Sequence, residues 1–505
     1  MNVMMLLEMA ASGFGDRVGL GSKHGGGLTY QQMFDQAGAA AAYFMDANIE
    51  RVSLVDVSSP ALPLTLFGAA WAGKPFVPLN YRLTAEELRR LAAEVSPTVT
   101  VCEDQAQPKL FDIVGVQPIL RDEFLRSIAS ETPAAPEWGM DPDAIAILLY
   151  TSGTTGAPKA AVLRHKHLVS YIFSSVEFMG ADEDEATLIS VPPYHIAGMA
   201  AILSSVYAGR RIVQLPAFDA RAWVDLAIRE CITHAMVVPT MLARIVDCME
   251  HDGIRTIPTL RALSYGGGKM PLPVIEKALD LLPHCNFVNA YGLTETSSTV
   301  CILGPDDHRA ARASDDPDVR RRLTSVGKPL PAVEITVRDD DGRAVADGQR
   351  GEIWVRGEQV SGEYLGRGSL LNPDGWFPTK DGGYVDAEGF LFLEGRMDDI
   401  IIRGGENISP GEIEDVLLQH DGVADAAAIG VPSVQWGEAV GAVVVRAAGS
   451  TATPEELRDW VAHHLRTSRA PELVVFRDEL PYNDMGKLLR RVLKAEIASL
   501  GDVES

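Results

Sequence analysis

The chain has 505 residues, more than one hydrophobic core usually organises, so two or more domains are expected. Hydrophobic residues make up 46% and charged residues 23%, the balance of an ordinary globular protein rather than a disordered, fibrous or membrane-embedded one. The net charge of −24 argues against nucleic acid or anionic lipid as the main partner, and any phosphate ligand must be met by positive charge concentrated locally against that field.

The opening MNVMMLLEMAASG has an apolar centre but no basic leader and is interrupted by Glu8; it reads as a short helix, not a signal peptide. LTAEELRRLAAEV (83–95) is an amphipathic helix with Thr84 as its N-cap, and PTVTVCED (97–104) is a β-branched, buried strand. IAILLYTSG, VPPYHIAG, RIVQLP, HAMVVPT and RALSYGGG then repeat one theme, an apolar run ending in a turn rich in Gly, Pro, Ser or Thr, with helical stretches between. That alternation predicts layered α/β sheets whose ligand groups gather at the carboxyl ends of the strands. From about 325 to 395 the texture changes to VEITVRD, GEIWVRG and GFLFLEG with tight turns, a small and mostly antiparallel β unit. A separate α+β segment follows. In it, Thr453, Pro454 and Glu456 form an N-cap, a proline at the first helical position and a capping-box acid, ahead of a stripe of Leu457, Trp460, Val461, His464 and Leu465. No run of 18 apolar residues exists, so no membrane span is expected. Five cysteines, at 102, 231, 248, 285 and 301, are scattered, with no C-x-x-C pair. That pattern suits reduced thiols in a cytoplasmic protein better than a disulfide framework or a zinc site.

One stretch raises a chemical question. YTSGTTGAPKAAVLRH (150–165) is a Gly/Ser/Thr run closed by Lys159. It fails the P-loop pattern, because lysine does not follow glycine directly and Ala160 stands where a magnesium-binding hydroxyl is required. A plain surface turn is the bland reading. Freed backbone N–H groups, hydroxyl donors and one ammonium make an anion cradle the sharper one.

The stretch resembles the phosphate loop of the adenylate-forming (AMP-binding) superfamily, in its acyl-CoA synthetase branch. YGLTETS (291–297), GEIWVRG (351–357), DGWFPTKDGGYVDAEGFLFLEGRMDDIIIRGGENISPGEIE (374–414) and PYNDMGKLLRR (481–491) resemble further motifs of that family in its order, and FVPLNYRLTAEEL (76–88) is similar to an upstream segment. The likeness covers nearly the whole chain. It implies a large N-terminal adenylation domain of several subdomains (1–397) and a small mobile α+β C-terminal domain (398–505), hinged at Asp398. It also implies ATP, Mg²⁺ and CoA as ligands and an acyl-adenylate as intermediate, with the loop holding the phosphates that leave as pyrophosphate. Such chemistry converts a poorly electrophilic carboxylate into a mixed anhydride with a good leaving group, and needs in-line positioning and positive charge where charge builds up.

Residue by residue, the resemblance assigns Thr151, Ser152, Gly153, Thr154, Thr155, Gly156 and Lys159 to the nucleotide phosphates. Thr294 meets the α-phosphate and Glu295 the magnesium, a hard ion suited to one carboxylate plus phosphate oxygens; a helix N-cap with an acidic first turn is the alternative. Tyr291 stacks on adenine, with Asn289, Ala290, Gly292, Gly266 and Gly267 around it. Asp381 takes the ribose diol, although the family's T-G-D reads T-K-D here, which puts the turn at Lys380 in doubt. Arg396 is a second ribose or phosphate contact. Lys487 bridges the substrate carboxylate and the α-phosphate, with Asn483 and Asp484 as its turn. Arg403, Gly404 and Gly405 line the CoA path.

PPYHIAG (192–198) bears on the acid. It lacks the aspartate with which amino-acid-activating relatives hold an ammonium, and AFDARAW (217–223) resembles an ordinary helix start. His195 then sits near the acyl carbon, or is a structural histidine, and Met199, Thr240, Gly267, Gly268 and Val300 line the acyl pocket. With no basic residue placed for a second carboxylate, the expected substrate is a medium-chain fatty or aromatic acid. The competing acceptor is a carrier-protein phosphopantetheine. A homodimer is left open.

Overall fold

The computed structural model describes residues 1–46, 48–151, 158–433, 435–483 and 486–498, without the side chains of 407 and 498. Two large α/β layers, a small β sheet and a C-terminal α+β unit make up the described residues, as the sequence predicts.

In the first layer the central strands run parallel in the order Asn286–Leu293, Ala262–Gly266, His234–Val237, Ala186–Ile189, Arg211–Gln214 and Val18–Leu20. The strand Ser298–Leu303 returns antiparallel along Asn286–Leu293. The second layer carries Val116–Leu120, Thr98–Cys102, Arg51–Val55, Phe76–Pro78 and Ile145–Thr151 in parallel, and Lys159–Arg164 folds back antiparallel on Ile145–Thr151. Helix Ala61–Trp71 is buried at every position because it lies within the core these two layers share. Its apolar sequence has no polar face to present to water, and Trp71 ends it with its Nε1 donating to Ala135 O (3.0 Å).

Local signals are obeyed where they are strong. Thr84 accepts from Glu87 N and caps Ala85–Glu94, and Thr453 caps Pro454–His464, each in a capping box. Thr98–Cys102 is buried at all five positions. The opening segment forms helix Met4–Phe14. One expectation needs correcting: in the 454–464 helix, Leu457 and Val461 are buried, but His464 is exposed and lies against the Trp460 ring at a tilt, with ring centroids 4.1 Å apart. Trp460 covers the stripe there, and the imidazole stays in water.

The small sheet, Glu334–Arg338, Gly351–Arg356, Phe377–Val385 and Leu391–Arg396, is antiparallel throughout. The C-terminal unit has its own core, in which Val423–Ser433 and Gly437–Arg446 form a long hairpin covered by Pro410–Leu417 and Pro454–His464. No described helix is long and apolar enough to cross a membrane.

Candidate active site

The small sheet and the first layer meet at a buried polar cluster. The Tyr291 hydroxyl donates to Asp381 Oδ2 (2.7 Å), and Arg396 donates to Asp381 Oδ1 (2.8 Å) and to Thr379 O (2.7 Å). Asp381 and Arg396 face each other because their strands are antiparallel partners in register. Two of the carboxylate's roughly four acceptor positions are used, leaving room for a diol. Tyr291 departs from expectation. It is 7% exposed and packs with Val300, Cys301 and Val355, so its main visible work is to orient Asp381.

The doubtful turn at Lys380 is retained by strain. Its φ is +63°, in the left-handed region, and the backbone is clamped by Glu352, whose Oε1 accepts from Lys380 N (3.1 Å) and pairs with Lys380 Nζ (3.3 Å). That conformation costs a non-glycine residue about 1 kcal/mol. Glycine would relieve it but adds about 0.5–1 kcal/mol of unfolded-state entropy and removes a half-exposed ion pair worth at most about 1 kcal/mol. Lys380→Gly is therefore expected to shift the melting temperature by no more than about 3 °C and to leave ATP affinity unchanged. Lys380→Val, with a β-branched side chain in the same backbone, should lose about 1–3 kcal/mol of stability in urea unfolding.

Lys487 enters this cluster from the C-terminal unit. A turn in which Asn483 N donates to Lys487 O (2.9 Å) and Lys487 N to Asn483 Oδ1 (2.8 Å) presents the side chain, as the sequence suggests for Asn483; Asp484 lies outside the described residues. The lysine is exposed to solvent, with the charged groups of the cluster close to it. Desolvation and the Arg396 guanidinium pull its pKa below the ordinary lysine value, opposed by Asp381, Asp399 and Glu295. Three residues far apart in sequence, Lys487, Asp381 and Glu295, thus share one electrostatic neighbourhood.

Glu295 lies in the short 3₁₀ turn Thr294–Thr296, which Ser297 ends in the left-handed region at φ 55°. The turn is neither a helix N-cap nor the acidic first turn of a longer helix, which removes the bland reading. Glu295 O accepts from Ser361 N (2.8 Å) and Gly362 N (3.1 Å), and its carboxylate accepts from the Tyr364 hydroxyl. Thr294 is half-buried at the head of the same turn. Among the described residues no cluster of three His, Cys, Asp or Glu side chains exists that could hold a metal alone. A magnesium ion fits this donor set only with one carboxylate and phosphate oxygens.

Thr151 and Lys159 are paired at the base of the hairpin that carries the phosphate-loop sequence, and Lys159 Nζ stands 5.9 Å from the Tyr364 ring centroid. Ser152, Gly153, Thr154, Thr155 and Gly156 lie outside the described residues. Two assigned glycines have structural reasons. A Cβ on Gly266 would collide with Ala290 O, its partner across the parallel strands, and one on Gly292 with Ser298 O. Their bare backbones admit the neighbouring strand. Gly267, at φ +84°, and Gly268 are exposed. Asn289 is buried, and its amide donates to Ser325 O (2.9 Å), so that donor serves the fold.

On the acyl side, His195 is half-buried at the N-cap of helix Ile196–Ala208, its ring 4.9 Å from that of Tyr194. Thr240 and Gly268 face Gly486, the residue before Lys487. Met199 (0% exposed) and Val300 (1%) are corrected: they fill the core behind the site and present no surface to a ligand. Arg403 is also corrected as a waiting phosphate contact. Its guanidinium is bound by Glu472 (2.7 and 3.0 Å) and lies 4.5 Å from the Trp436 ring centroid. Gly404 (φ +58°) and Gly405 (φ +85°) form the adjoining tight turn, with Gly404 N donating to Trp436 O (2.9 Å). Asp398 is exposed in the turn Met397–Asp399 between the small sheet and the C-terminal unit.

Contacts that sequence reading missed hold the C-terminal unit in this pose. Lys269 bridges to Asp415 (2.6 Å) and donates to Gly411 O (3.2 Å); Arg350 lies between Glu394 (2.8 Å) and Glu412 (3.7 Å). Within the C-terminal unit, Arg490 pairs with Glu414 and reaches Asp399 (3.7 Å).

Comparison with known proteins agrees with this arrangement. The family model described as "AMP-binding enzyme" matches residues 7–365, and that described as "AMP-binding enzyme C-terminal domain" matches 412–487. The chain is 34% identical over 483 residues to a fatty acid–[acyl-carrier-protein] ligase, ScoC, of Streptomyces coeruleorubidus, covering 92% of this chain and 91% of that one. It is 32% identical over 482 residues to a feruloyl-CoA synthase of an Amycolatopsis species, covering 93% and 94%. Among solved structures, ATP-bound MatB from Rhodopseudomonas palustris superposes with a TM-score of 0.87 at 28% identity, covering 99% of this chain and 100% of that one. The o-succinylbenzoate-CoA synthetase (MenE) of Bacillus subtilis, in complex with its acyl-adenylate intermediate, gives a TM-score of 0.83 at 29% identity, covering 97% of each chain. With a lysine, an arginine–aspartate pair and a tethered glutamate at the meeting of two units that both match, the chain belongs to the AMP-binding enzyme family, the adenylate-forming superfamily, and is an AMP-forming acid–thiol ligase.

Proposed function

We propose that the protein activates a medium-chain fatty or aromatic carboxylic acid with ATP and passes the acyl group to CoA. The observation that carries this reading is the convergence of Lys487, Arg396, Asp381 and Glu295 in one cleft. In a chain of net charge −24, Lys487 and Arg396 set two cations in this cluster, where the phosphates of a nucleotide can meet positive charge.

In the first half-reaction, Asp381 and Arg396 hold the nucleotide, with the ribose diol on Asp381. Thr151, Lys159 and the loop between them take the outgoing phosphates. Lys487 aligns the substrate carboxylate with the α-phosphorus and neutralises charge on the five-coordinate phosphorus as pyrophosphate leaves. Glu295 would hold magnesium, which neutralises phosphate charge when bound. In the second half-reaction a thiol attacks the acyl carbon and AMP departs. Rotation about a hinge at Asp398, the proposed boundary between units 1–397 and 398–505, withdraws Lys487 and brings in the turn at Gly404 and Gly405. His195 stands at the acyl carbon, and Thr240 and Gly268 wall the acyl side. Thr240, Gly267 and Gly268, small and without charge, support an uncharged acyl tail.

A carrier-protein acceptor is the second reading. It is favoured by the likeness to a carrier-protein ligase and by the engagement of Arg403 with Glu472, which leaves that cation less available to a CoA phosphate. Incubation with ATP, Mg²⁺, CoA and a panel of acids, resolving AMP from ADP and acyl-CoA from acyl-AMP, tests both. AMP with acyl-CoA from one acid class is the expected result. Acyl-AMP without acyl-CoA selects the carrier protein, and ADP overturns the adenylation chemistry.

A further inference from the structure

Sequence reading gave Tyr364 no role, yet it joins the two halves of the phosphate site. Residues 361–365 form a strap between separate sheets. At one end, Ser361 N and Gly362 N donate to Glu295 O, and the Tyr364 phenol donates to the Glu295 carboxylate. At the other, Tyr364 pairs with Ala161 and Leu365 N donates to Ala160 O (2.9 Å), immediately beside Lys159. Glu363 anchors the strap through a two-pronged pair with Arg164 (2.7 and 2.9 Å). Lys159 Nζ stands over the Tyr364 ring, and the Thr151 hydroxyl is a further polar neighbour of the phenol.

We propose that Tyr364 is a positioning residue that sets the Glu295 carboxylate relative to the phosphate hairpin, so that metal and phosphates are bound as one unit. This rests on the reading above that Glu295 meets the magnesium of ATP. A carboxylate on a short turn has free side-chain torsions, and the phenol fixes one oxygen while leaving the other, and the remaining lone pairs, for a cation. Backbone bonds at Ser361 and Gly362 fix the main chain of Glu295 but not its side chain, so the phenol is the part of the strap that acts on the carboxylate.

Tyr364→Phe keeps the ring, its contact with Lys159 and the strand pairing, and removes only the hydroxyl. Equilibrium binding of ATP is measured by calorimetry with Mg²⁺ and with EDTA in the wild type, Tyr364→Phe, Glu295→Gln and the double variant, with the melting temperature of each free protein as the folding control. Expected is a loss of about tenfold in ATP affinity with Mg²⁺, none with EDTA, and no further loss when Tyr364→Phe is added to Glu295→Gln. Equal losses with Mg²⁺ and EDTA, or additive losses in the double variant, overturn the proposal and make Tyr364 a packing residue. If Tyr364→Phe melts far below the wild type, the same cycle run with Tyr364→Trp decides. Failure of the underlying reading is distinct: wild-type affinity for ATP would then not depend on Mg²⁺, and Glu295→Gln alone would have no effect.

Discussion

Replacing Lys487 with alanine is expected to abolish adenylate formation, measured as pyrophosphate–ATP exchange, by about 10²–10³-fold or more. The same variant should convert supplied acyl-AMP and CoA to acyl-CoA at close to the wild-type rate. The asymmetry follows from position. Lys487 is carried by the C-terminal unit to the neighbourhood of Arg396, Asp381 and Glu295, whereas the thiol step is assigned to the turn at Gly404 and Gly405. Stability should change little, because the ammonium is exposed to solvent and the repulsive Arg396 guanidinium offsets the attraction of Asp381, Asp399 and Glu295. Equal loss of both half-reactions would show that Lys487 is needed for the fold of the cleft or for both poses, and would remove it from a role confined to adenylation.

The second large effect is expected at Asp381. Its carboxylate accepts from Tyr291 and Arg396, and among the anions around Lys487 it acts most strongly on that ammonium. Asp381→Asn should weaken ATP binding by about 10–100-fold, the worth of charge-assisted hydrogen bonds to a diol. It should also change the pH profile. Adenylation needs Lys487 protonated, and its folded pKa already lies below the ordinary lysine value, so activity falls as pH rises through that depressed pKa. Asp381 raises the Lys487 pKa, so neutralising it lowers that pKa further and moves the alkaline limb of the exchange reaction to lower pH. A profile whose alkaline limb stays in place would mean that Lys487 is not the titrating group. Some stability is lost as well, since Arg396 and the buried Tyr291 hydroxyl are left with an amide in place of a charge.

The proposed site was named from the sequence because its residues carry the chemistry in their identities. Asp381, Arg396, Glu295 and Lys487 are named by short motifs, and the structure brings all four together. Met199 and Val300 were misread because an apolar side chain lining a pocket and one filling the wall behind it look alike in sequence; only burial separates them. Gly266 and Gly292 were assigned to the surroundings of the nucleotide, and the structure adds that their bare backbones also admit an adjacent strand. Tyr364 was passed over because its partner Glu295 lies 69 positions earlier in the chain, and Arg403 was assigned to a ligand because its partner Glu472 lies 69 positions later.

By itself, the sequence determined the elements whose causes are local. The capping boxes at Thr84 and Thr453 and the β-branched strand 98–102 each depend on residues a few positions apart, and all form as their patterns require. It also determined the reaction class, because the motifs jointly specify it. Only the tertiary structure decided which side chains share a charge environment and which are already engaged. Such pairings join strands and units distant in the chain, and their energies arise from desolvation and mutual orientation, which no short window of sequence contains.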